Sequence, residues 1–217
     1  MCADVKTKIA ARAAREVQPG QVINLGIGIP TLVMDHLAPE LAVTIHSENG
    51  ILGVDGVSRR GEEDRNLIDA GGAYITVGRG ASFCDSAVSF ALVRGGRLDV
   101  AFLGALEVSE KGDLANWIIP GKFAPGIGGG MELAQKARRL VIATTHTNRK
   151  GEAKILRRCT LPLTAKGCVD SIITELAVIR VTPRGLLLTE LAEETDLETV
   201  MAKTEAPLMV ADEGIRF

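Results

Sequence analysis

Short apolar runs, closed by glycines or turns and interspersed with helical segments, most constrain the fold of this 217-residue chain. The runs QVINLGIG (21–28), LAVTIH (41–46), AYITVG (73–78), LDVAFLG (98–104) and LVIATT (140–145) are strand-like. They are apolar almost throughout, as strands covered on both faces must be. Between them lie segments of helical character. Asp4 is placed to cap a helix running to Val17, ended by Pro19-Gly20, and Pro30 to open a short helix, PTLVMDHL (30–37). Asp85 is placed to cap SAVSFALVR (86–94), which stops at Gly95-Gly96, and MELAQKA (131–137) is a further helix.

In the second half, ALEVSEKGDLANWIIPG (105–121) reads as two extended pieces about the turn Glu110 to Asp113. TELAVIRV (174–181) and GLLLTEL (185–191) read as a hairpin, followed by a helix from Asp196 to Lys203 and a last strand, PLMVAD (207–212). Strands alternating with helices predict an α/β fold: an open, largely parallel sheet with helices on both faces and some antiparallel hairpins. The length fits a single domain over 1–217, and no linker, repeat or low-complexity segment divides it.

A net charge of −2 argues against nucleic acid or an anionic membrane surface as partner. No run approaches the ~18 apolar residues of a membrane span, and the charged N-terminal segment lacks the apolar centre of a secretory signal. The four cysteines (Cys2, Cys84, Cys159, Cys168) form no CxxC pair and no zinc-ligand spacing. They read as reduced thiols in a cytoplasmic protein, with Cys159 and Cys168 in the core. His36, His46 and His146 suggest no metal set.

Three clusters carry candidate chemistry. In NLGIGIPT (24–31), Gly26 and Gly28 follow a strand and precede a helix, but Thr31 stands where a dinucleotide loop needs its third glycine. A tight strand-to-helix turn, or a cradle of amides with Asn24 for another phosphate-bearing or amide-rich ligand, both remain open. In TIHSENGILGV (44–54), Glu48 ends a strand in a turn. Gly50 and Gly53 leave the carboxylate sterically open, and Asn49 offers an amide to orient it or its partner. Such a carboxylate suits a general base or a nucleophile, and the pattern does not separate these. In PGIGGGMEL (125–133), glycines before a helix present several N–H groups, which suits an anion or oxyanion site as well as a flexible connection. Asp55, Glu62, Glu63 and Asp64 read as a solvated face, and Trp117 as a packing anchor.

Five segments, NLGIGIPT (24–31), HSENGILG (46–53), SFALVRGG (89–96), GDLANWIIPGK (112–122) and KILRRCTLPLT (154–164), together resemble the beta subunit of the family I 3-oxoacid coenzyme A transferases. The similarity runs in order along essentially the whole chain and is nearest to the acetate/butyrate–acetoacetate branch. The resemblance implies the fold of that family, shared with sugar-phosphate isomerases (NagB-RpiA-like). It also implies a role for Glu48 as the nucleophile that carries CoA as a glutamyl thioester. Gly129, in the turn Gly128-Gly129-Gly130, becomes the expected donor to the oxyanion, with Gly130 standing where relatives commonly have Ala. Asn24 matches a CoA-contacting position, and Gly26, Gly28, Asn49, Gly50, Gly128 and Gly130 are expected around the CoA. Gly72 stands where some relatives have a CoA-contacting lysine, so that contact is not expected.

The resemblance further implies no resident cofactor and no metal, CoA being substrate and covalent intermediate. It implies a partner alpha subunit that completes the site, short carboxylates and acyl-CoAs as substrates, and a place in short-chain acid or ketone body metabolism. Succinyl-CoA:3-oxoacid and 3-oxoadipate transferases are the neighbouring alternatives. Outside this class stand a sugar-phosphate isomerase, with Glu48 as base, and a non-catalytic chain that binds acyl-CoA reversibly.

Overall fold

The computed structural model describes residues 2–122 and 126–217. Its centre is a run of five parallel strands: β1 (Val22–Leu25), β2 (Thr44–Ser47), β5 (Val100–Leu103), β8 (Arg139–Ala143) and β10 (Ser171–Ile173), in the spatial order β10-β8-β5-β1-β2. Beyond β2, the strands β3 (Ile51–Val57) and β4 (Ile75–Phe83) continue antiparallel. Beyond β10, the hairpin β11 (Ala177–Thr182) and β12 (Gly185–Leu191) follows, and β13 (Leu208–Arg216) runs parallel to β12 at the edge. A second sheet of β6 (Glu107–Ser109), β7 (Leu114–Ala115) and β9 (Ile155–Leu156) packs beside it in the order β7-β6-β9.

The continuous apolar character of the central strands has a direct cause, because both faces of the sheet are covered. Along β5, Ala101 and Leu103 point into one core with Val93 of α2 (Ser86–Arg94), Leu133 of α3 (Gly130–Lys136) and Val200 of α4 (Leu197–Ala202). Val100 and Phe102 point into the other core, with Ile9 and Ala13 of α1 (Cys2–Ala14) and Val33 of the 3₁₀ helix Pro30–His36. The period-2 alternation thus feeds two cores from one strand. The expected open, largely parallel sheet with helices on both faces is what forms.

The helix caps are local. Asp85 accepts the amide of Val88 at 2.8 Å and Asp196 that of Thr199 at 2.8 Å, so each satisfies an N–H that the helix itself leaves free. Asp4 is not a cap: α1 begins at Cys2, and Asp4 lies in its first turn, where its charge still favours the helix dipole. The helix ends at Ala14 rather than Val17, because the amides of Arg15, Glu16 and Val17 bond to carbonyls three residues back and tighten the chain. Three strands were invisible to pattern. Strand β3 carries Gly53, Asp55 and Gly56, which break its alternation, and its pairing with β4 shifts register twice. Strands β9 and β10 are two and three residues long, too short to show a period.

Candidate active site

Strand order reverses at β1: one path of the chain runs outward through β2, β3 and β4, the other through β5, β8 and β10. The crevice beyond the carboxyl ends of parallel strands at such a switch point is where α/β sheets hold ligands. Asn24 lies on β1, and Glu48 follows β2 at once, so both stand at this crevice. The Glu48 turn is closed by the Gly50 amide, which donates to the Ser47 carbonyl at 2.9 Å.

Glu48 is half-buried and faces a cleft of about 550 Å³ whose walls include Ala70, Phe90, Arg94, Gly128, Gly129 and Met131. Its carboxylate has a donor from below: Asn24, 1% exposed, gives its Nδ2 to Glu48 Oε2 at 3.0 Å and to the His46 carbonyl at 3.1 Å. Gly129 lies against it from the side, where a Cβ on Gly129 would be 3.4 Å from Glu48 Cγ. Gly129 also packs on the Phe90 ring so closely that a Cβ there would be 2.7 Å from Phe90 Cζ. Glycine is therefore needed at 129 for approach rather than for conformation, since its φ of −77° suits any residue. Its neighbour Gly128, at φ +53°, is needed for conformation. Pro125, at the start of the same cluster, lies outside the described residues.

Several expected roles change. Asn49 does not orient Glu48: its Nδ2 donates to the Ile68 carbonyl at 2.7 Å, tying the turn to the segment after β3. Asn24, expected at the CoA, is buried beneath the carboxylate and donates to it. Gly50 and Gly53 do not open space around Glu48. A Cβ on Gly50 would fall 1.9 Å from the Cys84 carbonyl oxygen, and one on Gly53 3.1 Å from Ala81 Cα, so both serve the close approach of β3's start to β4. Gly26 likewise has a packing role, its amide donating to the Phe102 carbonyl at 2.8 Å, whereas Gly28 and Gly130 meet nothing closer than 4.0 Å. Arg94 and Glu132 pair across the cleft, from α2 to α3, at 2.9 Å.

Sequence reading passed over His46 and Ser89. Both are buried, and His46 Nε2 lies 2.8 Å from Ser89 Oγ. Burial pushes the His46 imidazole below its usual range, although the Glu48 charge opposes this. The only signal in the sequence was a polar pair inside otherwise apolar segments. His146 is neutral for the same reason, pushed down to about 4 by burial, and sits between Thr174 and Thr204. No group of His, Cys, Asp and Glu suited to a metal occurs among the described residues. Cys159 is half-buried, Cys168 is half-buried and packed against the core, and burial pushes both thiols up to about 12, which disfavours the reactive thiolate. Asp55, Glu62, Glu63 and Asp64 form the expected exposed stretch. No described helix is long and apolar enough to cross a membrane.

The sequence matches the Coenzyme A transferase family over residues 6–203. It is 48% identical over 208 residues to the beta subunit of the acetate CoA-transferase of Escherichia coli, covering 96% of this chain and 95% of that one. It is 45% identical over 208 residues to one chain of a probable succinyl-CoA:3-ketoacid coenzyme A transferase of Bacillus subtilis, covering 96% of both. The fold alone is shared with the acyl-CoA transferase YdiF of Escherichia coli O157:H7, at a TM-score of 0.79 and 24% identity, over 98% of this chain and 43% of that longer one. With this likeness along nearly its full length, and with a carboxylate and a glycine turn meeting at the strand ends, the chain belongs to the coenzyme A transferase family, as a chain of the beta type.

Proposed function

We propose that this chain is the catalytic beta subunit of an enzyme that moves CoA between a short-chain acyl-CoA and a free carboxylate, with Glu48 as nucleophile. The observation that carries the reading is the position of the Glu48 carboxylate, held by Asn24 from below and flanked by Gly129 at the cleft wall. A Glu48 oxygen attacks the thioester carbonyl, the C–S bond breaks, and CoA thiolate leaves a mixed acyl-glutamyl anhydride. The thiolate then attacks the glutamyl carbonyl, the bond between that carbon and the bridging oxygen breaks, and the acyl group departs with that oxygen as the free carboxylate, leaving a glutamyl-CoA thioester. The second carboxylate reverses these steps and leaves as its CoA ester. Each step passes through a tetrahedral oxyanion, for which a backbone N–H of the Gly128-Gly129-Gly130 turn is the proposed donor. Asn49 and Gly128 line the cleft that would receive CoA, the exposed Gly28 is a further proposed contact, and Gly26 and Gly50 hold the backbone of the neighbouring turns, with Asn24 beneath the carboxylate. No resident cofactor is required, since CoA is itself the group transferred.

The reading includes a companion alpha chain. Relatives in Bacillus subtilis and Escherichia coli are named as beta subunits, a name that presupposes a second chain. Met131, in the same cleft as the carboxylate, is 44% exposed, and Ile27, on the turn after β1, is 75% exposed, apolar surface that a second chain would cover. Cys84, Cys159 and Cys168 are free thiols, which fits work in a reducing cytoplasm. Acetate, butyrate and acetoacetate are the proposed carboxylates, in short-chain acid and ketone body metabolism. The succinyl-CoA:3-ketoacid pair is the second reading, supported by a relative only three points less identical.

Borohydride tests the class. It should inactivate the assembled enzyme only after incubation with an acyl-CoA, by reducing the glutamyl thioester. Glu48→Ala should end transfer while assembly persists. Full activity after borohydride, or turnover by Glu48→Ala, would remove Glu48 from the mechanism.

A further inference from the structure

The nucleophile is held through a buried chain of polar side chains that reaches the helix forming the cleft wall. Asn24 Nδ2 donates to Glu48 Oε2 at 3.0 Å and to the His46 carbonyl at 3.1 Å, and His46 Nδ1 lies 3.4 Å from the same nitrogen. Turning the amide over would aim Asn24 Oδ1 at all three, so the amide has one tenable orientation. It keeps that orientation although Oδ1 is buried without a partner in the described structure. The imidazole completes the arrangement. With an NH₂ group facing Nδ1, the ring proton belongs on Nε2, where it donates to Ser89 Oγ at 2.8 Å. Ser89, fully buried, sits on α2 next to Phe90, whose ring packs on Gly129. Consecutive residues of one helix therefore touch the glycine turn, through Phe90, and His46, through Ser89.

We propose that Asn24, His46 and Ser89 are positioning residues that fix the Glu48 carboxylate relative to the Gly129 turn through α2. This rests on the reading of Glu48 as nucleophile. His46 touches neither substrate nor reacting atoms in the proposed mechanism; it acts by holding Asn24. Its removal misplaces the nucleophile without altering the surface on which CoA binds, so kcat falls and KM does not.

The test uses the assembled enzyme, with acyl-CoA turnover and the rate of glutamyl-CoA formation as readouts. His46→Leu, which fills the space but offers no acceptor, is expected to lose up to roughly 100-fold in kcat, the cost of displacing a reacting group by about 1 Å, with KM for the acyl-CoA unchanged. His46→Gln keeps an acceptor and a donor and is expected to recover most of that loss. Ser89→Ala removes one hydroxyl, folds even where His46→Leu does not, and is expected to slow glutamyl-CoA formation at unchanged KM. Wild-type kcat in His46→Leu or in Ser89→Ala would overturn the proposal. So would His46→Leu and His46→Gln being equally slow with KM raised, which marks a general packing defect. Absence of any glutamyl-CoA in the unaltered enzyme would instead overturn the assignment of Glu48, a separate result.

Discussion

Replacing Gly129 by Ala adds one methyl group at the point where nucleophile, glycine turn and α2 meet. The backbone there, φ −77° and ψ −4°, accepts any L-residue, so the effect is steric and not conformational. The methyl would stand 2.7 Å from Phe90 Cζ, 3.0 Å from Phe90 Cε1 and 3.4 Å from Glu48 Cγ. Carbon atoms rest at ~3.5–4.0 Å, so the ring or the turn must retreat by about 1 Å. The ring is the far end of a half-buried side chain and has room to yield, which puts the stability cost at the ~1–3 kcal/mol of an overpacked site. The rate should suffer more, because a displacement of about 1 Å beside a reacting group costs roughly 100-fold. Thermal unfolding and steady-state kinetics of the assembled enzyme read the two effects separately. Adding Phe90→Leu, which removes the ring atoms in collision, should return part of the lost kcat. Wild-type kcat in Gly129→Ala would refute the assignment of this turn to the reaction.

Other expectations follow from the same contacts. Gly50→Ala combines a φ of +117° with a Cβ 1.9 Å from the Cys84 carbonyl oxygen, so the chain should fail to fold to a stable state; circular dichroism of the purified chain would show it. Asp85→Ala removes the cap of α2 and should cost about 1 kcal/mol by denaturant titration, with a fall in kcat if α2 aligns the site. His146 is fully buried and neutral, with a folded-state pKa of about 4 against 6.5 in the unfolded chain. The unfolded state therefore binds the extra proton first, and stability present above pH 6.5 is lost as pH falls toward about 4. The full loss is on the order of 3 kcal/mol, and His146→Gln should flatten this part of the dependence of unfolding free energy on pH.

The fold was legible because four of its five central strands, covered on both faces, read as unbroken apolar runs bounded by caps and glycines. Asp85, Asp196 and the turn from Glu110 to Asp113 act locally, and local chemistry is what a sequence displays. Strand β3 was not legible, because Gly53 and Gly56 stand where the alternation should be, placed there by the approach of β4. The same long-range contact misdirects the reading of the site. Gly50 beside Glu48 suggests open space, yet its open side is filled by a backbone carbonyl more than thirty residues away. Asn49, adjacent in sequence, points away, whereas Asn24 on the neighbouring parallel strand supplies the donor. Sheet register, Asn24 against His46, decides this, and no spacing along one segment encodes it. His46 and Ser89 were missed for that reason too.

The most direct measurement is intact-protein and peptide mass spectrometry of the assembled enzyme after incubation with acetoacetyl-CoA. The proposed mechanism predicts that this chain gains the mass of one CoA less one water, and that the gain maps to Glu48. Turnover with acetoacetyl-, butyryl- or succinyl-CoA that leaves no adduct on this chain, or an adduct on any residue other than Glu48, would contradict it.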